Sequence, residues 1–299
     1  MKGYDSLLAS VSRSFYLSMH FLPKCMHAGI SIAYLLARAT DSVADTSSAT
    51  IEKRKLVLIE MGRAIESLKA EEKVGDVEFL PEDVVHAQQN EGERVLLSRF
   101  GECLTLARSL PEEELLLVKR VLKIIVEGQL WDLTYFELNL GVSSAEETDR
   151  YAYQVAGCVG EFWTDMASLC LGDSFAVRRG EEMRGLGVRF GKGLQLVNIL
   201  RDREEDREKG RAYLPEGEDV RLWIDMCRSY LEDGVRYARA LKSRRLRFAS
   251  VLPAWLGMET LDLIEEDLAQ KGKKKVARSV VRRLMVKAFV FSWKRPRLH

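Results

Sequence analysis

Two stretches of the chain carry charged residues inside segments that are otherwise apolar. In the first, Asp41 and Asp45 stand four apart, preceded by His27, Ser31, Tyr34 and Arg38 at steps of three and four. On an α-helix these steps place the side chains on one face. The remaining residues, Ile30, Ile32, Ala33, Leu35, Leu36, Ala37 and Ala39, are apolar nearly all round, as in a buried helix. Unpaired charge in a core is costly, so the polar face must meet partners, a metal or a wet cavity. The second stretch repeats the arrangement. Gln195 and Asn198 lie among Leu194, Leu196, Val197, Ile199 and Leu200, and the face continues through Asp202, Glu205 and Asp206 to Lys209, with Arg201 and Arg211 beside it. Carboxylates one turn apart can hold a hard cation. Mg2+ commonly takes one or two of them and fills its shell with water and phosphate oxygens. Each stretch has an ordinary reading alone: a solvated face for Asp41 and Asp45, and an ion-paired surface helix for residues 201–211, with five acids and five bases. Two such clusters on two apolar helices favour a site that gathers divalent cations and, through them, phosphate.

The elements that must position these residues are helical. Apolar residues recur at three and four over residues 24–45, 51–68, 112–140, 146–171, 177–206 and 221–244. Alternation of the β type is essentially missing, and six prolines in 299 residues favour long helices. Ser109, Pro111 and Glu112 to Glu114 mark one helix start. Ser143 or Ser144, ahead of Glu146 and Glu147, marks another. Residues 71–82, with Gly75 and Pro81, and 211–219, with Pro215 and Gly217, read as loops. The helical pattern resumes at once after each, so the expectation is one all-α domain over residues 1–299.

Composition narrows the classes. With 46% hydrophobic residues, and 46 Lys and Arg against 45 Asp and Glu, the chain is not disordered and shows no basic excess of the kind a nucleic-acid binder carries. The balance hides an asymmetry: residues 269–299 hold eleven basic residues and no acidic one, which leaves an acidic body. Within residues 271–299, Lys271, Lys275, Arg278 and Arg282 share one helical face, and Ala277, Val281, Leu284, Met285, Ala288 and Phe291 share another, followed by Trp293, Lys294 and Arg295. Such a tail either docks on an anionic membrane surface or packs on the body as a last helix. Five cysteines, an odd number without C-x-x-C pairs and all in apolar stretches, are expected as buried thiols in a reducing compartment. No secretory h-region or span of about eighteen apolar residues interrupts the chain, so the expectation is a cytoplasmic protein, peripheral at most on the inner face of the membrane.

The two polar stripes also form motifs. Tyr34-Leu-Leu-Ala-Arg38-Ala-Thr-Asp41-Ser-Val-Ala-Asp45 resembles the first aspartate-rich motif of the squalene/phytoene synthase family. Gln195-Leu-Val-Asn198-Ile-Leu-Arg201-Asp202-Arg-Glu-Glu205-Asp206 resembles the second, followed by Gly210-Arg211-x-Tyr213-Leu214-Pro215. Ser12-Arg13-Ser14-Phe15 is similar to an N-terminal element of the family, and Tyr151-x-x-x-Val155-Ala156-Gly157-x-Val159-Gly160 to its central helix. The likeness runs from about residue 10 to 215 and more weakly to about 260. The first motif lacks the additional Glu of animal and plant squalene synthases, as in bacterial and carotenoid-type members.

The resemblance implies an all-α isoprenoid synthase fold with a central cavity, and a Mg2+-dependent head-to-head (1′–1) condensation of two allylic prenyl diphosphates. By position, Asp41, Asp45, Asp202 and Asp206 would ligate Mg2+ with Glu205 assisting. Arg13, Arg38, Arg201, Arg211 and Asn198, with Gln195 on the same stripe, would meet diphosphate oxygens. Tyr151 would assist proton or charge handling. Phe15, Tyr34, Val155 and Gly157 would line the apolar tunnel that keeps water from an allylic cation. Glu161 and Asp165 add charge to the central helix, either on a solvated face, which is the favoured reading, or as an extra polar contact near the cavity mouth. The Ser-Arg-Ser-Phe and Tyr-Leu-Leu-Ala-Arg stretches look closer to squalene-type members, which implies farnesyl diphosphate as substrate. Geranylgeranyl diphosphate, as in phytoene synthases, is the alternative. The product is left open among presqualene diphosphate, squalene, dehydrosqualene and phytoene, as is NADPH use: no Gly-x-Gly-x-x-Gly fingerprint is present, but squalene synthases bind NADPH without one. Non-catalytic relatives that act in membrane-complex assembly would be expected to lose motif positions that all stand here. A terpene cyclase would carry a different second motif.

Overall fold

The computed structural model describes residues 2–12, 19, 21–70, 80–266 and 276–296, the side chains of residues 2–5 excepted. Arg13 and Phe15, like Lys271 and Lys275 of the tail, lie outside them. Among the described residues the chain is all-α, with only two isolated bridges, Gly141 with Ala212 and Ala176 with Leu241. None of their helices is long and apolar enough to cross a membrane. Within the span that the sequence presents as one domain, the backbone groups into two compact units: Met1–His20 with Lys24–Glu137, and Phe21–Pro23 with Leu138–His299.

The first unit holds α1 (Lys2–Val11), α2 (Lys24–Ala44), α3 (Ile51–Glu66), α4 (Glu82–Ala87), α5 (Glu91–Ser98), α6 (Phe100–Arg108) and α7 (Glu112–Leu138). Helix α2 is its centre and packs against α1, α3, α5 and α6. That is why Leu35, Leu36, Ala39 and Val43 are all fully buried. Thr50 starts α3 by accepting from Lys53 N–H at 3.3 Å. Helices α4 to α6 are not marked by the sequence periodicity. Each has only six to nine residues, barely two turns, too few for a 3.6-residue repeat to show.

The second unit holds α8 (Ala145–Ala152), a π-helical turn (Tyr153–Gly157), α9 (Cys158–Leu171), α10 (Gly180–Glu208), α11 (Val220–Ala240), α12 (Arg244–Glu266) and α13 (Arg278–Ser292). Ser144 is the cap of α8: it accepts from Glu147 N–H at 3.4 Å while the Glu147 carboxylate accepts from Ser143 N–H at 2.7 Å. Helix α10 starts at Gly180, later than the periodicity suggests, because Val177 N–H is engaged by Ala240 O at 2.9 Å in the bridge beside Leu241. The same bridge separates α11 from α12, which continues through an internal Pro253. Leu196, Ile199, Trp223, Ile224, Leu231 and Leu261 form a core of α10, α11 and α12. Leu284, Ala288 and Phe291 of α13 join Phe248, Val251 and Leu252 of α12 in another. The face of the tail that includes Leu284, Ala288 and Phe291 therefore packs on the body.

The cysteines are only partly as expected. Cys103, Cys158 and Cys227 are buried, with thiols pushed up to about 12 by desolvation. Cys25 is exposed and Cys170 half-buried, because apolar neighbours in sequence do not place a residue on the inner face.

Helices α9 and α10 meet backbone to backbone. A Cβ on Gly187 would lie 2.7 Å from Gly160 O and 2.8 Å from Thr164 Oγ1, and a Cβ on Gly160 would collide with Gly187 O. One turn along, a Cβ on Gly191 would stand 3.0 Å from the Gly157 Cα. Close approach is thus what these glycines serve. Gly160→Ala is expected to destabilise by about 1–3 kcal/mol through overpacking. Gly180→Ala, which meets nothing within 4 Å, should be neutral or slightly stabilising. Urea unfolding midpoints of the two variants check this; equal midpoints would refute the close-approach account.

Candidate active site

In the first unit the polar stripe of α2 is answered by α5. Arg38 reaches Asp41 Oδ2 through Nη1 at 2.5 Å and pairs with Glu93 through Nη2. Ser42 donates to the other Glu93 oxygen at 3.0 Å. Glu93 is only 9% exposed and is fixed at the start of α5, where Asn90 Oδ1 accepts from its N–H at 3.3 Å. It is a site residue that the sequence reading missed. Its partners are 51 and 55 residues away, so no local spacing could show it. The guanidinium is thereby held between two carboxylates, which raises its pKa against the cost of burial. Tyr34, half-buried, donates its hydroxyl to Val11 O at 3.1 Å, tying α2 to the end of α1. Ser31 Oγ and Arg38 Nε are buried without a hydrogen bond among the described residues.

Asp41 and Asp45 lie one turn apart, Asp45 N–H on Asp41 O at 2.9 Å. Desolvation, then the charge of Asp45, push the Asp41 carboxyl up to about 7, against the lowering effect of Arg38. The Asp41 side chain nevertheless keeps 43% exposure, so a ligand can reach it.

In the second unit the stripe of α10 is built alike. Arg201 forks onto Asp202, Nε to Oδ1 at 3.0 Å and Nη2 to Oδ2 at 2.5 Å. Asn198 is exposed, and its amide reaches Gln195 Oε1 at 3.5 Å. Lys209 holds Glu205 at 2.7 Å. Asp206 is pushed up to about 6, by desolvation first and by Asp202 second, with Lys209 and Arg211 opposing. Past the helix end, Gly210 takes φ 77°, a left-handed value that suits glycine. The chain then turns back, so that Arg211 N–H bonds Asp206 O at 2.8 Å. This return sets Ala212 beside Gly141, with Val142 N–H on Ala212 O at 2.9 Å. It also stacks Tyr213 on Tyr151, ring centroids 4.8 Å apart and 16° between planes. Thr148 Oγ1 donates to Tyr213 O at 2.7 Å. Tyr151 and the tail of the second motif are therefore one local assembly.

Val155 and Gly157 lie in the π-helical turn, Val155 half-exposed and Gly157 buried. Glu161 and Asp165 are not on a solvated face. Their side chains are 14% and 12% exposed. Asp165 accepts from Arg184 Nη2 at 2.7 Å, and Glu161 accepts from Tyr153 OH at 3.0 Å. The close approach of α9 to α10 brings Arg184 over them. Among the described residues no three His, Cys, Asp or Glu side chains are already gathered to hold a metal. The donors on offer are the two carboxylate pairs with their arginines.

Comparison with known proteins places the fold and the family. The fold aligns with that of TcSQS, solved in complex with a ligand, at TM-score 0.73 and 20% identity over 96% of this chain and 87% of that one. It aligns with a dehydrosqualene synthase at TM-score 0.61 and 19% identity, over 96% and 94%. Residues 8–218 match the family description squalene/phytoene synthase. The chain belongs to the squalene/phytoene synthase family, which includes prenyltransferases such as presqualene diphosphate synthase and 15-cis-phytoene synthase. It is 35% identical over 155 residues to a phytoene synthase of Thermus thermophilus, covering 52% of this chain and 45% of that protein. It is 28% identical over 212 residues to a presqualene diphosphate synthase of Zymomonas mobilis, covering 70% and 58%. The chain thus spans about half the length of these two relatives.

Two expectations follow from the site. A carboxyl whose pKa is raised on folding contributes stability that is complete below its unfolded pKa, near 3.8, and is lost as pH rises through its folded value. The melting temperature of chelator-treated protein should therefore fall between about pH 4 and pH 7, and the fall should shrink in Asp41→Asn. An unchanged slope in that variant would refute the assignment. Glu93→Gln removes one charge from the Arg38 pair and should cost about 1.5–3 kcal/mol in urea unfolding.

Proposed function

We propose that this chain is a Mg2+-dependent prenyltransferase that joins two molecules of farnesyl diphosphate head to head (1′–1), forming presqualene diphosphate and then squalene or dehydrosqualene. The observation that carries the reading is that each acidic motif joins a carboxyl held above its ordinary pKa to a paired arginine: Arg38 lies on the raised Asp41 itself, and Arg201 lies on Asp202 beside the raised Asp206. Carboxyls held back from ionisation by burial and by a neighbouring carboxylate fit a divalent cation, whose charge offsets both. Asp41 and Asp45, and Asp202 and Asp206 with Glu205, would hold Mg2+. When bound, Mg2+ supplies the positive charge that lets a diphosphate depart.

The chain's own residues do the rest. Arg38 and Arg201, now on carboxylates, would turn to diphosphate oxygens, with Arg211, Arg13, Asn198 and Gln195 as further donors. Tyr151, stacked on Tyr213, would keep its hydroxyl in a fixed direction for proton or charge handling. Tyr34, Phe15, Val155 and Gly157 would border the prenyl chain and exclude water.

A second reading, a phytoene synthase acting on geranylgeranyl diphosphate, has the 35% identity to the Thermus thermophilus enzyme in its favour. The two are separated by incubating the protein with each diphosphate, with and without Mg2+ and NADPH, and weighing the products by mass spectrometry. A C30 product from the farnesyl substrate is expected, and none without Mg2+. A C40 product alone would turn the assignment to phytoene, and no condensation product under any condition would defeat both readings. Asp41→Ala and Asp202→Ala are expected to lower turnover by at least about a thousandfold with helix content unchanged in circular dichroism.

A further inference from the structure

Helix α13 has a second apolar face. Leu284, Ala288 and Phe291 point into the body, with Phe291 edge-on to Trp255 at 5.4 Å. Val286, Phe289, Val290 and Trp293, spaced i, i+3, i+4 and i+7, form a stripe on the opposite side. They are 65%, 57%, 57% and 58% exposed. Phe289 and Trp293 touch edge to face at 6.1 Å, and the Arg244 guanidinium lies 3.9 Å over the Trp293 ring. Since each residue of the stripe is more than half exposed, the stripe is a ridge and not the lining of a groove. Exposed Arg278 and Arg282 continue it toward the start of the helix, and exposed Arg283, Lys287 and Lys294 run along one flank, Arg283 pairing with Glu259 at 3.1 Å and Lys287 lying 4.4 Å over the Trp255 ring. The chain has no acidic residue from residue 269 to 299.

We infer that α13 docks this outer ridge on an anionic phospholipid surface, with Val286, Phe289, Val290 and Trp293 entering the acyl boundary and the basic flank meeting headgroup phosphates. Long basic side chains reach headgroups while their stems lie along apolar neighbours, and Trp favours the boundary between the two. A ridge suits a surface that yields around it, whereas a protein partner would have to supply a matching groove. A second copy is disfavoured by charge: in a two-fold contact α13 would face its own like-charged flank. The helix is too short to span a bilayer, since it has 15 residues, so the attachment is peripheral. The inference does not depend on which prenyl chain the protein uses.

Co-sedimentation of the full chain with vesicles of phosphatidylcholine plus phosphatidylglycerol, against phosphatidylcholine alone, tests it. Binding to the anionic vesicles and little to the neutral ones is expected. Phe289→Ser/Trp293→Ser and Arg282→Gln/Lys294→Gln should each lower the partition coefficient about tenfold or more, and salt should weaken what remains. All altered side chains are exposed, and circular dichroism verifies that the fold is kept. Unchanged binding in the Phe289/Trp293 variant would overturn the inference. So would failure of the unaltered protein to bind anionic vesicles. A wild-type dimer in light scattering that the Phe289/Trp293 variant dissolves, with no lipid binding, would assign the ridge to self-association instead.

Discussion

A carboxylate on a helix that is packed nearly all round has to be answered by positive charge. In α2 the answer is Arg38, and Arg38 in turn is held by Glu93, itself fixed by Ser42, so the first motif recruits α5 as its support. In α10 the answer is Arg201, set beside Asp202 and borne on a helix whose apolar side is sunk among α11 and α12. Neither arrangement is a strong stabiliser. Half-exposed ion pairs contribute little net free energy, and the raised carboxyls of Asp41 and Asp206 record a cost that remains. The rest of each unit supplies the apolar burial that makes this cost tolerable.

The same economy governs the central helices. Side chains are removed where α9 meets α10, so backbone can approach backbone at Gly160 and Gly187. The approach also brings Arg184 onto Asp165, while Glu161 is held by Tyr153 of its own helical run. The charge of Asp165, which looks superfluous in a largely apolar helix, is consumed in fastening α9 to α10.

What could be read in the sequence follows from the range of the interactions. The long helices were legible because burial of one face leaves a repeat of 3.6 residues, and the polar stripes were legible because they broke that repeat. The cap at Ser144 is a local device and was legible for that reason. Glu93 was invisible because its partners are far away in the chain. Helices α4 to α6 were invisible because they are short. Helix α12 hid its extent behind Pro253, and the burial of Glu161 and Asp165 depended on the path of α10. The tail was ambiguous for a different reason: a helix with two apolar faces reads the same under either expectation, and only the packing of Leu284, Ala288 and Phe291 tells inner face from outer.

The π-helical turn at Tyr153–Gly157 has a consequence for phase. An α-helix advances about 100° per residue, and a π-turn accommodates one residue beyond what an unbroken helix would need. Tyr151 must point to Tyr213 while Gly160 must point to Gly187. The surplus residue acts as a rotary offset between those two directions. It lets a single run of chain serve the stacked tyrosines at one end and a backbone seam at the other, without a loop to separate them.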